Sequence, residues 1–453
     1  MKSVHLWSPG RGRRPVAQLL AILALVLSVS LGYLAASRPA PTYAAFPSAA
    51  STNAYSWLQM QQRPTGLVES FENGGSAANM AVVYDEAVAA EAFLLMNDVA
   101  RAKQVLTALR GLQQPDGGWY NIYNCNDLSV IEWHRDVGPA VWVALAVAKY
   151  EQQTGDITSY RQMGSSALSF AYGFQQSDGG INGGFEAETV GVGYHSWGST
   201  EHNIDVYAAS LYYPGFAAQA AQVRWFLDNT VWDGVNNRWD GGRADPRDPL
   251  DVNAWGVSAL GASGVHNYGA ALDYVLTHHR NTQNGIDAFD FDSDRNDIWF
   301  EGTGQMIVAF KEVGRTSDAS YFFSQLLKGQ AANGGVPYSL LGTSNGYWTM
   351  SAAHAVSSAS WLIFADAGFN PLKPGPGNIS TATPTPAPGT ATSTATNTPL
   401  APATATATAI ATATRTPTAP LATATRTSTP PPNTPTVAPT NTPTVVPTTT
   451  PPP

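Results

Sequence analysis

One cysteine, Cys125, among 453 residues excludes an intrachain disulfide and any zinc site that needs two or more thiolates. Charge is scarce as well: Asp, Glu, Lys and Arg make up 13% of the chain, and 24 basic residues face 33 acidic ones, for a net charge of −9. Lys2, Arg11, Arg13, Arg14 and Arg38 all fall near the N-terminus. The rest of the chain is therefore more acidic still, and nucleic acid is not an expected partner.

Composition divides the chain into three parts. Residues 1–44 carry a basic leader with Arg11, Arg13 and Arg14, an apolar run from Ala17 to about Ala36, and then small residues up to Ala44. This is the pattern of a signal peptide cut near Ala44, with a retained membrane anchor as the alternative. Residues 373–453 are almost wholly Thr, Pro, Ala and Ser. A segment with so little apolar bulk is expected to be disordered, acting as a spacer, a carrier of O-linked sugars or a link to the cell envelope. Together these ends predict a secreted or cell-surface protein whose folded domain lies within residues 45–372.

That domain has helical periodicity. Twelve helices are expected, near residues 52–62, 81–96, 99–113, 136–153, 159–176, 200–212, 216–229, 250–260, 268–279, 299–312, 318–330 and 351–367. Alternate members, such as VGPAVWVALAVAKY and DVNAWGVSALG, are rich in small and apolar residues and have to be enclosed by other helices. Polar markers at their starts, Asp85, Asp136, Glu201, Asp251, Glu301 and His354, recur at intervals of 51, 65, 50, 50 and 53 residues. A period near fifty, repeated six times, predicts an all-α fold of six helical hairpins: an (α/α)6 toroid with six inner helices inside six outer ones.

The YDEA segment at Tyr84, the AKYEQQTGDITSY connection, the FQQSDGG turn at Phe174, STEHNID and WFEGTGQM together resemble the six-hairpin glycosidase superfamily over about residues 52–372. The resemblance implies rim carboxylates that act as catalytic acid and base on an oligo- or polysaccharide. QPDGGW at Gln114 and QSDGG at Gln176 are also similar to turns of terpene cyclases, but no DxDD acid motif accompanies them. They read more simply as helix stops.

The N-termini of the inner helices present unpaired N–H groups and the positive ends of the helix dipoles to one face, where carboxylates are stabilised. Glu201 in WGSTEHNIDVYAA is the leading catalytic candidate, with Thr200 as the expected N-cap and Asp205 one turn below in a structural hydrogen bond. Two like charges at that spacing push one proton affinity upward, as a general acid requires. Glu301 and Asp85 compete for the partner role, and Asp136 and Asp251 stand in reserve among the substrate-binding positions. Tyr84, Trp133, Arg135, Trp197, His202, Asn203 and Trp299 are further substrate-binding candidates, Arg135 having pairing with Asp136 as its alternative. Indole faces suit the apolar side of pyranose rings.

No cofactor is expected. The alternative is a calcium ion on Asp290, Asp292 and Asp294, although Arg295 stands where a calcium loop needs glycine. Two other functions fit the same residues: a polysaccharide lyase using His202, Asn203 and Tyr207, and a glycan-binding envelope protein without catalysis.

Overall fold

The structure, a computed structural model, describes residues 46–72, 74–185, 195–344 and 348–375. The expected signal segment and nearly all of the expected tail lie outside the described residues. Twelve α-helices occur among the described residues: α1 (Ala49–Gln61), α2 (Val83–Leu95), α3 (Val99–Leu112), α4 (Val137–Thr154), α5 (Arg161–Tyr172), α6 (Thr200–Ser210), α7 (Ala217–Asn229), α8 (Leu250–Leu260), α9 (Ala270–His278), α10 (Phe300–Glu312), α11 (Thr316–Leu326) and α12 (Val356–Ala367). The even-numbered helices form a closed inner ring, each packed on two others, with α12 returning to α2. None of the described helices is long and apolar enough to cross a membrane.

Sequence chemistry separates the two rings. Inner helices are buried nearly all round; in α10 every residue from Phe300 to Phe310 is enclosed. Outer helix α3 buries only Ala102, Val105, Leu106 and Leu109, spaced at three and four residues along one face. Side-chain caps are few: Ser48 and Asp98 cap outer helices α1 and α3, and neither the other four outer helices nor any of the six inner ones has such a cap.

The missing caps are replaced by a ring of backbone hydrogen bonds. The first N–H of each inner helix donates to a carbonyl in the loop leading to the next one: Val83 to Asn121 (3.0 Å), Val137 to Gly183 (2.9 Å), Thr200 to Gly241 (2.9 Å), Leu250 to Phe291 (2.8 Å), Phe300 to Tyr338 (3.1 Å) and Val356 to Ser70 (2.9 Å). The last bond joins the final hairpin to the first. Thr200 is thus the first helical residue and not the expected N-cap; its hydroxyl donates instead to the Asp240 carbonyl at 2.6 Å.

Outside, glutamines do a similar job. The side-chain amides of Gln62, Gln113, Gln175 and Gln330 donate both to the carbonyl of a glycine in their own turn and to a carbonyl of the next outer helix. Gly117 in QPDGGW has φ +99°, and a Cβ there would lie 2.1 Å from the Ser166 carbonyl oxygen. The Gln-rich turns are therefore helix stops that clamp neighbouring hairpins.

Taking those first residues as a common origin aligns the inner helices in layers. The sixth positions of α4, α8 and α12 are Trp142, Trp255 and Trp361. With Tyr84 they form an aromatic floor across the axis, the Trp142–Trp255 and Tyr84–Trp142 ring centroids both lying 5.1 Å apart. Short β-hairpins decorate the ring, the largest pairing Arg280–Gln283 with Ile286–Phe289. Its turn, Asn284-Gly285, has φ +50° and +76°, as a type I′ hairpin requires.

Proline is ordinarily well tolerated at the first position of a helix, because that N–H has no intrahelical partner. Val356→Pro removes the bond that closes the ring and is expected to cost about 1–3 kcal/mol. Ala49→Pro, at the exposed start of α1, is expected to change stability by less than about 0.5 kcal/mol. Denaturant unfolding of the two variants checks this, and equal effects would contradict it.

Candidate active site

The aligned second positions of the inner helices are Tyr84, Gly138, Glu201, Asp251, Glu301 and Ser357. Three consecutive hairpins therefore place a carboxyl group at the same height on the axis. The sequence markers Asp85, Asp136 and His354 lie in other registers, one residue deeper or two to three residues earlier, and Ser357 rather than His354 is the sixth member of the layer. Gly138 leaves a gap that the His202 ring fills: a Cβ on Gly138 would sit 2.3 Å from His202 Cδ2.

Glu201 and Asp251 line one cavity of about 420 Å3, together with Asp136, Trp197, His202, Arg243, Phe291 and Trp348. Glu201 accepts no hydrogen bond among the described residues. Glu201 is partly exposed in the cavity, but the protein packed around its carboxyl group limits its hydration. This burial raises its proton affinity well above the usual carboxylate range, reinforced by Asp251, then Asp205 and Glu301. Asp251 is also raised by burial, to about 7; the Val252 N–H at 2.7 Å limits the rise.

Glu301 and Asp85 lie beside this pair, outside the cavity wall. Burial raises Glu301 to about 7, against hydrogen bonds from Tyr84, Ser357 and Gln305. The Tyr84 phenol donates to Glu301 Oε1 at 2.6 Å and accepts from Trp361 Nε1 at 2.7 Å. Asp85 is raised by burial to about 8, with the Ser70 hydroxyl lowering it and Glu301 raising it. Asp205 is fully buried next to Asp251; burial and then Asp251 raise its proton affinity, while the Trp142 indole N–H on the neighbouring helix α4 lowers it from just beyond ordinary hydrogen-bond distance.

Other candidates are placed differently from expectation. Asn203 is fully buried and serves the scaffold: it takes the Ile181 N–H at 2.7 Å and donates to the carbonyls of Ile181 and Ser199. Equivalent fourth-position residues do the same, Asn253 for Trp239, Thr303 for Phe289 and Glu86 for Val68. Trp299 is buried against Phe291 and cannot stack on a ligand. Arg135 is buried, pairs with Asp116 at 2.7 Å and lies over the Phe185 ring, so it does not pair with Asp136. Asp136 instead accepts from Asn121 and lies 3.0 Å from His195 Nε2. Trp197 and Asp136 do line the cavity, whereas Trp133 stands outside it, edge-on to Tyr120.

Sequence reasoning missed Arg243 and Phe291 in the cavity wall. Both lie in loops that precede inner helices, as Trp197 does, so aligning the loops of the repeat was the available signal. Arg243 is held by both oxygens of Asp178 and by Asn182. A larger cavity of about 600 Å3 adjoins at His195. Among the described residues its lining holds one carboxylate, Asp116, which Arg135 engages. The carboxylates of Asp290, Asp292 and Asp294 come within 4.8 Å of one another, and the two Asp290 oxygens each accept a backbone N–H, from Phe291 and Asp297. The loop is held by its own hydrogen bonds.

A carboxyl group that holds its proton more tightly in the folded than in the unfolded state favours folding at low pH and loses that contribution as pH rises through its folded value. Asp85, Asp251 and Glu301 therefore predict falling stability between about pH 5 and pH 8. His202, lowered by burial to about 4, acts in the opposite sense below its unfolded value near 6.5, but it is one group against several. Thermal unfolding is expected at a higher temperature at pH 5.5 than at pH 8, with a smaller difference in Glu301→Gln. Stability that rises over this range would contradict the assignment.

No protein-family model matches the chain, and no curated protein matches it. Solved structures do. A glycosidase aligns with a TM-score of 0.55 at 12% identity, covering 70% of this chain and 95% of its own, and the same match holds for a glycosidase in complex with glucose. A D-mannose isomerase aligns with a TM-score of 0.54 at 13% identity, covering 72% and 99%. A cellobiose 2-epimerase from Bacillus thermoamylovorans aligns with a TM-score of 0.51 at 9% identity, covering 69% and 95%. At such identities the likeness speaks for architecture alone, and the chain has the six-hairpin (α/α)6 toroid that these enzymes share.

Proposed function

We propose that the protein is a glycoside hydrolase, with Glu201 as general acid and Asp251 as its partner carboxylate. The observation that carries this reading is the pair itself: of the carboxyl groups that line one aromatic-walled cavity, Glu201 and Asp251 stand at the same helix position, and burial raises the proton affinity of both. Glycosidic cleavage needs one carboxylic acid to protonate the leaving oxygen and one carboxylate to activate water or attack the anomeric carbon. Glu201, with more like charges facing it and no hydrogen bond to its carboxylate, keeps the proton. Asp251, stabilised as the anion by the Val252 N–H, ionises first. Glu301, as it ionises, adds negative charge that helps hold a proton on the pair, and Tyr84 fixes Glu301. With its leader and tail, the enzyme is assigned to the cell exterior, where a glycan is accessible.

The three sugar-acting neighbours support a carbohydrate ligand. A second reading, isomerisation or epimerisation of a free sugar, draws on His195 and His202, whose rings lie 4.6 and 5.4 Å from that of Trp197. The lyase alternative loses Asn203, whose polar atoms are committed to the backbone.

A panel of neutral oligo- and polysaccharides assayed for new reducing ends tests the hydrolase. Glu201→Gln and Asp251→Asn are each expected to lower kcat by roughly 10²–10⁴-fold while leaving the fold intact. Wild-type activity is expected to rise with pH through about 7 as Asp251 ionises. Conversion of a free sugar to its isomer or epimer without new reducing ends would favour the second reading. Full activity in both variants would exclude the pair.

A further inference from the structure

The exposed tryptophans are not scattered. Among the described residues the indoles exposed to solvent are Trp133 (52%), Trp197 (43%) and Trp348 (39%), and each lies in a loop that leads into an inner helix, on the face where the carboxyl layer opens. Of the other described indoles, Trp225 and Trp232 are half-buried, and Trp57, Trp119, Trp142, Trp239, Trp255 and Trp361 are fully enclosed. Large aromatic faces left in water cost free energy unless a ligand covers them.

Trp197 and Trp348 line the cavity that holds Glu201 and Asp251. Its volume of about 420 Å3 suits a ligand of roughly two sugar rings. Trp133 lies outside this cavity, in the same rim loop as a residue whose ring contacts lead to it. His134, the residue after Trp133, meets His195 at 5.8 Å, and His195 lies 4.6 Å from Trp197. The Trp133 indole is itself braced edge-on by Tyr120 at 5.0 Å, which lies under the Arg135 guanidinium. A braced, half-exposed indole flanked by the hydrogen-bonding side chains Glu132 and His134 matches the chemistry of a pyranose, which offers one apolar face and a rim of hydroxyls.

We infer that Trp133 is a distal stacking platform for a further sugar ring of the same chain, so that the enzyme's substrate is a neutral oligosaccharide longer than two units. This inference rests on the hydrolase reading of the Glu201–Asp251 cavity and extends it outward along the rim. Binding energy gained at such a platform acts only on substrates long enough to reach it. The gain therefore depends on chain length, which a purely structural role for Trp133 would not produce.

The test uses the full chain with gluco-, manno- and xylo-oligosaccharides of two to six units, in both α- and β-linked series, comparing wild type, Trp133→Ala and Trp133→Tyr. For the series that is cleaved, Trp133→Ala is expected to leave kcat/KM on the dimer within about twofold and to lower it about tenfold on the tetramer and longer chains, with Trp133→Tyr restoring most of the loss. Equal loss at every length, or none at any, would overturn the distal platform while leaving the hydrolase reading standing. If no oligosaccharide is cleaved, and Glu201→Gln shows no change in tryptophan fluorescence with any of them, the hydrolase reading fails and this inference with it.

Discussion

Six backbone hydrogen bonds, each from the first N–H of an inner helix to the loop of the next hairpin, hold this toroid in register. An inner helix start is buried among its neighbours, and an unsatisfied N–H there would be costly. Using the neighbour's loop carbonyl satisfies the group and fixes the height of each helix against the next. The Val356 to Ser70 bond links segments almost three hundred residues apart and makes the ring a closed object. Small residues along the inner helices let the helices approach closely enough for this: a Cβ on Gly304 would lie 2.8 Å from that of Trp361.

The electrostatics of the candidate site follow from that register. Because the helices start at one height, residues at the second position converge, and Glu201, Asp251 and Glu301 meet around the axis. Below them the Trp142, Trp255 and Trp361 indoles close the floor, so the carboxyl groups see little solvent on the core side. Burial and mutual repulsion then oppose ionising all of them together. Hydrogen bonds apportion the charge: Glu301 receives Tyr84 and Gln305, Asp251 receives the Val252 N–H, and Glu201 receives nothing. The least supported of these anions is the one that holds its proton most tightly, and it faces the cavity together with Asp251.

Much of this architecture was legible in the sequence. The alternation of small-residue and amphipathic helices, with a period near fifty, is a direct consequence of one ring enclosing another, and it placed all twelve helices to within a few residues. The exact height of each helix was not legible, because that depends on a backbone bond to a loop far away in sequence. His354 was therefore taken for an inner-helix start, although it sits before α12 and pairs with Glu72. The same limit applies to side chains in STEHNID: Glu201 and Asn203 are two residues apart, yet one faces the cavity and the other binds its own loop. Trp299 looked like a stacking residue because it stands at a helix start, but the Phe291 loop folds over it. The Asn284-Gly285 hairpin carried a clear local signal that the helical reading passed over.

The central claim is that Glu201 holds its proton more tightly than an ordinary carboxyl group because the toroid packs it among other carboxyl groups. Difference infrared spectroscopy of the carboxyl stretching region, comparing wild type with Glu201→Gln at pH 6.5, measures this directly. The account predicts a protonated-carboxyl band in the wild type that is lost in the variant, and that gives way to the carboxylate band at a higher pH than an ordinary glutamate would. A Glu201 signal that is already fully carboxylate at pH 6.5 would contradict it.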